Sequence, residues 1–270
     1  MARAHPTIAI GLPRFMPREP DGFAEFAISR GAGATAPRPV RVSRVLAAAL
    51  KTIDGEEATL GLVRCLSAGT REWLLQKVAA LFRPRQDWFE GDCTVCSARY
   101  DVALDLAELP AKPCGAGFPT VAVETSLGRR LFDAPNGFDE ETLARSHVAG
   151  DPRRRLAGLC GLSDDAQAEA ARFDLADLDR IDAALDEATP QPSERSATRC
   201  PSCGHATEAA IEPLSFAFPS EISLLREVHR IAAHYHWSED AILSLPTRRR
   251  RQYLSIIGSE RRRLQTARPR

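Results

Sequence analysis

The chain has 270 residues and a mass of 29.5 kDa, with 44% apolar and 27% charged residues, a composition that supports a sizeable core and excludes wholesale disorder. Its 36 Lys+Arg balance 36 Asp+Glu, so no global field draws it towards nucleic acid or acidic lipid, and any charge-driven function has to be local. No apolar run approaches the roughly 18 residues of a spanning helix, and the N-terminal stretch carries Arg3, Pro13, Arg14, Pro17 and Pro20 where a signal segment would be apolar; a soluble, cytoplasmic protein without membrane insertion is expected.

Residues 1–40 hold many prolines, the run Gly31-Ala-Gly33-Ala-Thr and little apolar periodicity, which predicts an extended arm that orders on a partner. The glycines imitate a dinucleotide fingerprint, but Pro37 and Pro39 stand where its helix would begin. Residues 41–87 form a helical unit. Val45, Leu46 and Leu50 begin it; Asp54-Gly-Glu-Glu57 resembles a capping box ahead of Leu60, Leu62, Val63 and Leu66. Ser67 then caps a helix carrying Trp73, Leu74, Val78, Leu81 and Phe82, which Arg83-Pro84 stops.

Residues 88–106 hold a first Cys-x-x-Cys knuckle, followed by alternation of Tyr100, Val102, Leu104 and Leu106 with smaller or acidic residues, the pattern of a strand. Residues 107–199 form an insertion. It contains a β-hairpin from Phe118 to Phe132, short helices starting at Asp151-Pro152 and Ser163, an acidic segment from Asp164 to Glu187 that suits a solvated helical face, and a linker over Thr189 to Thr198. Residues 200–218 repeat the knuckle and strand. In residues 219–270 Ser220 opens a helix whose apolar face is Ile222, Leu225, Val228, Ile231, Ala232 and Tyr235; Ser238 caps a short helix, and Thr247 opens a last one with a basic tail. The fold class is α+β.

Seven cysteines in a reducing compartment do not suggest disulfides. Cys65 and Cys160 lie in apolar helical patterns and suit small buried hydrophobes. Four others form two pairs, Cys93-Thr-Val-Cys96 and Cys200-Pro-Ser-Cys203. Each pair supplies two thiolates on one tight turn, and together they complete a tetrahedral site for a structural Zn²⁺. Aligning Cys93 on Cys200 also sets Asp101 on Glu208, Leu104 on Ile211 and Asp105 on Glu212, as two equivalent hairpins would. Against this, 103 residues separate Cys96 from Cys200, far more than in compact zinc motifs. A redox dithiol, two separate sites completed by Cys114 or His205, and cysteines without function remain open.

No HExxH, GxSxG or phosphate-loop pattern is present, and four thiolates leave a metal no open position for water, so a noncatalytic protein without a small-molecule substrate is expected. His229, His234 and His236 suit a helix C-terminus. Arg248, Arg249, Arg250 and Arg251 crowd the first turn of the last helix, where the macrodipole disfavours cations. That patch has three possible counterparts: the acidic segment, an acidic partner protein, or nucleic acid, with few aromatics nearby to stack bases.

The stretch Leu225-Arg-Glu-Val-His-Arg-Ile-Ala-Ala-His-Tyr-His-Trp-Ser-Glu-Asp-Ala-Ile-Leu-Ser-Leu-Pro246 with the Arg-rich turn and Tyr253, the knuckle from Trp88 to Leu106 and the turn from Lys112 to Pro119 together resemble a family of baseplate proteins of contractile phage tails and phage-derived injection particles, related to a T-even phage baseplate hub assembly protein. The resemblance implies a noncatalytic baseplate component or assembly factor whose partners are other hub or wedge subunits. Trp237, Tyr253 and Arg248 to Arg251 are the expected contact residues, since Trp, Tyr and Arg anchor interfaces. A nucleic-acid-binding zinc ribbon using the basic tail is the alternative.

Overall fold

The computed structural model describes residues 4–82, 87–146 and 150–266, and its elements make an α+β fold of small two- and three-stranded sheets among helices. The N-terminal unit runs β1 (Phe15–Pro17), α1 (Gly22–Gly33), α2 (Arg38–Ala49), β2 (Leu50–Ile53), β3 (Glu56–Glu57), α3 (Leu60–Cys65) and α4 (Ala68–Phe82). Ile28, Val45, Leu46, Leu50, Val63, Leu66 and Leu74 close its core. The first forty residues are therefore not an extended arm. Asp21 caps α1 by accepting the Ala24 amide at 2.8 Å; Phe26, Ile28 and Ala32 are buried. Gly31 lets α1 lie close on α2, since a Cβ there would stand 3.2 Å from the Val45 nitrogen. Gly31 thus serves packing, while Gly33 faces open space.

Asp54-Gly55 does not start a helix either. Both residues have positive φ, 48° and 89°, and they turn β2 into β3, whose register pairs Ile53 with Glu56; Asp-Gly between short strands is a hairpin signal. Thr59 caps α3, accepting the Leu62 amide at 3.2 Å. Ser67 accepts the Thr70 amide at 3.2 Å, opening α4 where the spacing predicted; Arg83-Pro84 lies outside the described residues.

Next come β4 (Asp87–Asp92) and β5 (Arg99–Leu104), antiparallel with Gly91 opposite Tyr100. The insertion follows as β6 (Ala111–Lys112), β7 (Thr120–Thr125), β8 (Gly128–Asp133), α5 (Gly137–Arg145), α6 (Pro152–Cys160), α7 (Ala166–Arg172), α8 (Leu175–Ala188) and β9 (Gln191–Pro192). The β7–β8 hairpin and α6 to α8 share a core of Val123, Phe132, Phe173, Leu178, Ile181 and Leu185. Asp165, two residues after Ser163, precedes α7. Most acids between Asp164 and Glu187 are exposed, but Asp177 is buried, its carboxylate accepting from the Ser126 amide and hydroxyl. β9 pairs with β6 and closes the insertion on itself.

The chain then enters β10 (Arg195–Arg199), pairing with β11 (Ala206–Ala210). The expected linker over Thr189 to Thr198 is thus mostly strand; Ser196 and Thr198 lie on a two-stranded ribbon, and Thr189 ends α8. Finally α9 (Pro213–Phe216), α10 (Glu221–Tyr235), α11 (Glu239–Leu243) and α12 (Thr247–Thr266) build the C-terminal module. Leu224, Val228, Ile231, Ile242 and Ile257 pack around Phe26 of α1. Ile222 and Leu225 are exposed, so the buried face of α10 is rotated from the one the sequence suggested. Among the described residues no helix is long and apolar enough to cross a membrane.

Candidate metal centre

Each Cys-x-x-Cys sits at the tip of a hairpin, Cys93 to Cys96 between β4 and β5 and Cys200 to Cys203 between β10 and β11. The two turns are built alike. The Cys93 amide donates to the Ala98 carbonyl at 3.0 Å and Ser97 N–H to the Cys93 carbonyl at 3.0 Å; the Cys200 amide donates to His205 at 2.9 Å and Gly204 N–H to Cys200 at 2.8 Å. Ser97 and Gly204 occupy the same left-handed position, with φ of 57° and 72°. This correspondence continues the alignment of Cys93 on Cys200 and extends it upstream into β4 and β10.

The hairpin tips meet. All four Sγ atoms lie within 4.8 Å of one another, with Cys93 Sγ 3.7 Å from Cys203 Sγ and Cys96 Sγ 3.6 Å from Cys200 Sγ. A tetrahedron with metal–sulfur bonds of about 2.3 Å has edges of about 3.8 Å, close to these two distances, so the group could hold one metal ion. Cys93 and Cys200 are buried; Cys96 and Cys203 form the exposed side. Tyr100, Val102 and Ala209 pack behind the buried pair. The hydroxyls of Tyr100 and Thr207, at corresponding places in the two hairpins, are buried with no hydrogen-bond partner.

The four thiols differ in their electrostatics. Backbone amides of Cys96 and Val95 hold the Cys93 thiol down at about 6, and the Cys203 amide likewise lowers Cys200. Cys203 is favoured as thiolate by the His205 amide, but the crowding of Cys96, Cys93 and Cys200 wins and drives it up to about 12. A dication bound among the four sulfurs would favour all of them as thiolates. Neither Cys114 nor His205 belongs to the group. Cys114 lies against Gly11, and burial raises its thiol; Cys160 is buried as expected, and Cys65 is half-buried.

The other predicted residues gather on the C-terminal module. Tyr235, Trp237 and Tyr253 form one aromatic cluster, with ring centroids 5.0 to 5.4 Å apart. Trp237 is exposed and Tyr253 half-buried. His236 ends α10 in the left-handed conformation, and His234 lies 3.1 Å from Glu260.

Arg248 and Arg249 are exposed, as is Arg251. Arg250 is not a surface residue: it is 1% exposed and bonds the carboxylates of Glu25 on α1 and Glu227 on α10. It is therefore removed from the contact residues. Those two carboxylates supply the compensation that arginines at a helix start require, in place of the acidic segment, whose Glu169, Asp177 and Asp179 pair with Arg130, Arg180 and Arg153. Thr247 does not cap α12 with its hydroxyl, which donates to the Pro20 carbonyl at 2.8 Å. Sequence reasoning missed Ser97 and Gly204, although the glycine right after Cys203 was a visible sign of a left-handed turn.

Compared with protein-family models, with curated proteins and with solved structures, the chain finds no match in any of the three.

Proposed function

We propose that the protein is a noncatalytic baseplate component, or baseplate assembly factor, of a phage-like contractile injection particle. One structural Zn²⁺ locks its split ribbon, and its C-terminal helices dock on hub or wedge subunits. The observation that carries the zinc is the convergence of four thiols within 4.8 Å from two like-built hairpins; an all-thiolate tetrahedral set is soft, closed and free of a position for substrate water. The docking part is supported by the exposed Trp237 beside Tyr253 and by the exposed Arg248, Arg249 and Arg251, the side-chain types that anchor interfaces.

Elemental analysis should return one zinc per chain, with four thiols becoming reactive on chelation. No metal, or thiols paired as disulfides, would overturn the ribbon. For docking, Arg248, Arg249 and Arg251 are replaced by Ser while Arg250 is kept. Loss of co-purification with hub or wedge subunits is expected, and unchanged assembly would refute the docking face. Binding to nucleic acid that weakens steeply with salt would instead favour the ribbon as a nucleic-acid module.

A further inference from the structure

Away from the metal centre, a cavity of about 450 Å³ opens between the N-terminal unit and the start of α12. Its apolar walls come from Ala24 and Ile28 of α1, Ala48 and Ala49 of α2, and Leu81 and Phe82 at the end of α4. Leu81 is 56% exposed, a large apolar side chain left uncovered on a concave wall. Three arginines line the same cavity, Arg18, Arg248 and Arg251. Arg18 and Arg248 have no ion-pair partner among the described residues, and Arg251 reaches only to 4.0 Å from Glu25. Glu25 also lines the cavity and is shared by Arg250 and Arg251, while Arg250 also serves Glu227; the four arginines Arg18, Arg248, Arg250 and Arg251 thus face two carboxylates, and positive charge stays in excess.

Cavities of roughly 300–1,000 Å³ with apolar walls and a few convergent polar groups are the usual form of small-ligand sites. Here the walls ask for an aliphatic or aromatic body. The charge asks for an anion, and arginine's planar fork matches a carboxylate. We propose that this cavity binds an amphiphilic carboxylate, its body against Ile28, Ala48 and Leu81 and its charge among Arg18, Arg248 and Arg251. A free fatty acid and the C-terminal residue of a polypeptide both present this chemistry. The proposal does not rest on the baseplate reading, since Arg18 and Ala48 lie outside the proposed docking face.

The test is calorimetric titration of the full metal-loaded chain with sodium decanoate, with decanol, and with the peptide acetyl-Gly-Gly-Phe-Leu carrying a free carboxylate. Binding at one site is expected, with decanol, which keeps the body and loses the charge, at least tenfold weaker than decanoate. Tighter binding of decanoate assigns the lipid-type source, tighter binding of the peptide the chain-end source. Ala48→Phe should fill the cavity and abolish binding. Arg18→Gln with Arg248→Gln, both at exposed positions, should weaken it at least tenfold without touching the core. No binding of decanoate or peptide below about millimolar concentration, or equal affinity for decanol, or affinity unchanged by the arginine pair, would overturn the proposal.

Discussion

Replacing Arg250 with Met is expected to destabilise the C-terminal module by about 3 kcal/mol, although a sequence of four consecutive arginines gives no hint that one differs from the rest. Removing one partner of a buried ion pair costs about 3–5 kcal/mol, because it leaves an uncompensated charge out of water. Glu25 is the charge left behind, 1% exposed. Two features place the cost at the low end: Arg251 stands 4.0 Å from Glu25 and can partly replace the lost cation, and Glu227 is 27% exposed and can rehydrate. At about 2–4 °C per kcal/mol for a domain of this size, the melting temperature should fall by about 6–12 °C. Fluorescence-detected urea and thermal unfolding follow the loss, with Trp237, packed on Tyr235 and Tyr253, contributing the module's signal beside those of Trp73 and Trp88. Adding Glu25→Gln to Arg250→Met should restore most of the loss, because apolar or neutral replacements of a whole buried pair are often neutral. A single substitution costing under about 1 kcal/mol, or a double substitution worse than the sum of the two singles, would refute the argument.

At the metal centre, Cys200→Ser removes a buried corner of the site, and metal content is expected to fall from one per chain to none in elemental analysis; metal retained at full stoichiometry would contradict the four-thiol site. Gly204→Ser introduces a side chain that meets nothing within 4 Å but must keep φ near 72°, so it should cost about 1 kcal/mol, the ordinary left-handed penalty, and leave metal binding intact. Ser97 already bears that cost at the corresponding place. For Asp177, burial pushes the carboxyl up, but bonds from the Ser126 hydroxyl and amide, the Asp174 amide and Arg180 outweigh it and hold it below the ordinary value. A depressed folded value means a stabilisation fully present above the unfolded value of about 3.9 and lost as pH falls through the lower, folded one. Exchange protection of the Ser126 amide, corrected for intrinsic rates, should therefore drop below about pH 4, and Asp177→Asn should flatten that dependence. Protection unchanged down to pH 2 would refute it.

What the sequence disclosed and what it hid divide along contact range. The knuckles, the caps at Ser67, Ser220 and Ser238, and the β7–β8 hairpin are local patterns, and each lies where its spacing placed it. The like surroundings of Cys93 and Cys200 were legible because both hairpins repeat the same alternation. Asp54-Gly55 misled because Glu56 and Glu57, which form a two-residue strand, imitate a first helical turn. Helix α1 was hidden because its stability comes from Phe26 and Ile28 in two different cores and from the close approach at Gly31, none of which shows as periodicity. Arg250 was misplaced for the same reason, its partner Glu25 being 225 residues away; no window of sequence contains both.

The 103 residues between Cys96 and Cys200 make the metal look like the clasp of a very long loop, yet the fold closes most of that loop without it. Helix α4 holds both ends of the insertion: Lys77 Nζ donates to the Ala107 carbonyl at 2.6 Å, and Gln76 Nε2 to the Ser193 carbonyl at 2.8 Å. Between them β6 pairs with β9, and the Gly115 amide donates to Ala188 at 3.0 Å. Closure entropy grows only with the logarithm of loop length, and what remains for the metal to close is the short chain on either side of the two tips. The role of a metal bound there would thus be positional. It would fix β5 and β11, which deliver Leu106 and Ile211 to the small core with Ala79 and Ala217 beneath α4, and would thereby set where α9 starts. The C-terminal module has its own anchors on α1, through Phe26 and the Glu25–Arg250 pair. Chelation should therefore loosen the hairpin tips while the Trp237 environment persists, and Arg250→Met should do the reverse. With no shared partners the two losses should add, and strong coupling between them would show that the ribbon and the C-terminal module are one cooperative unit.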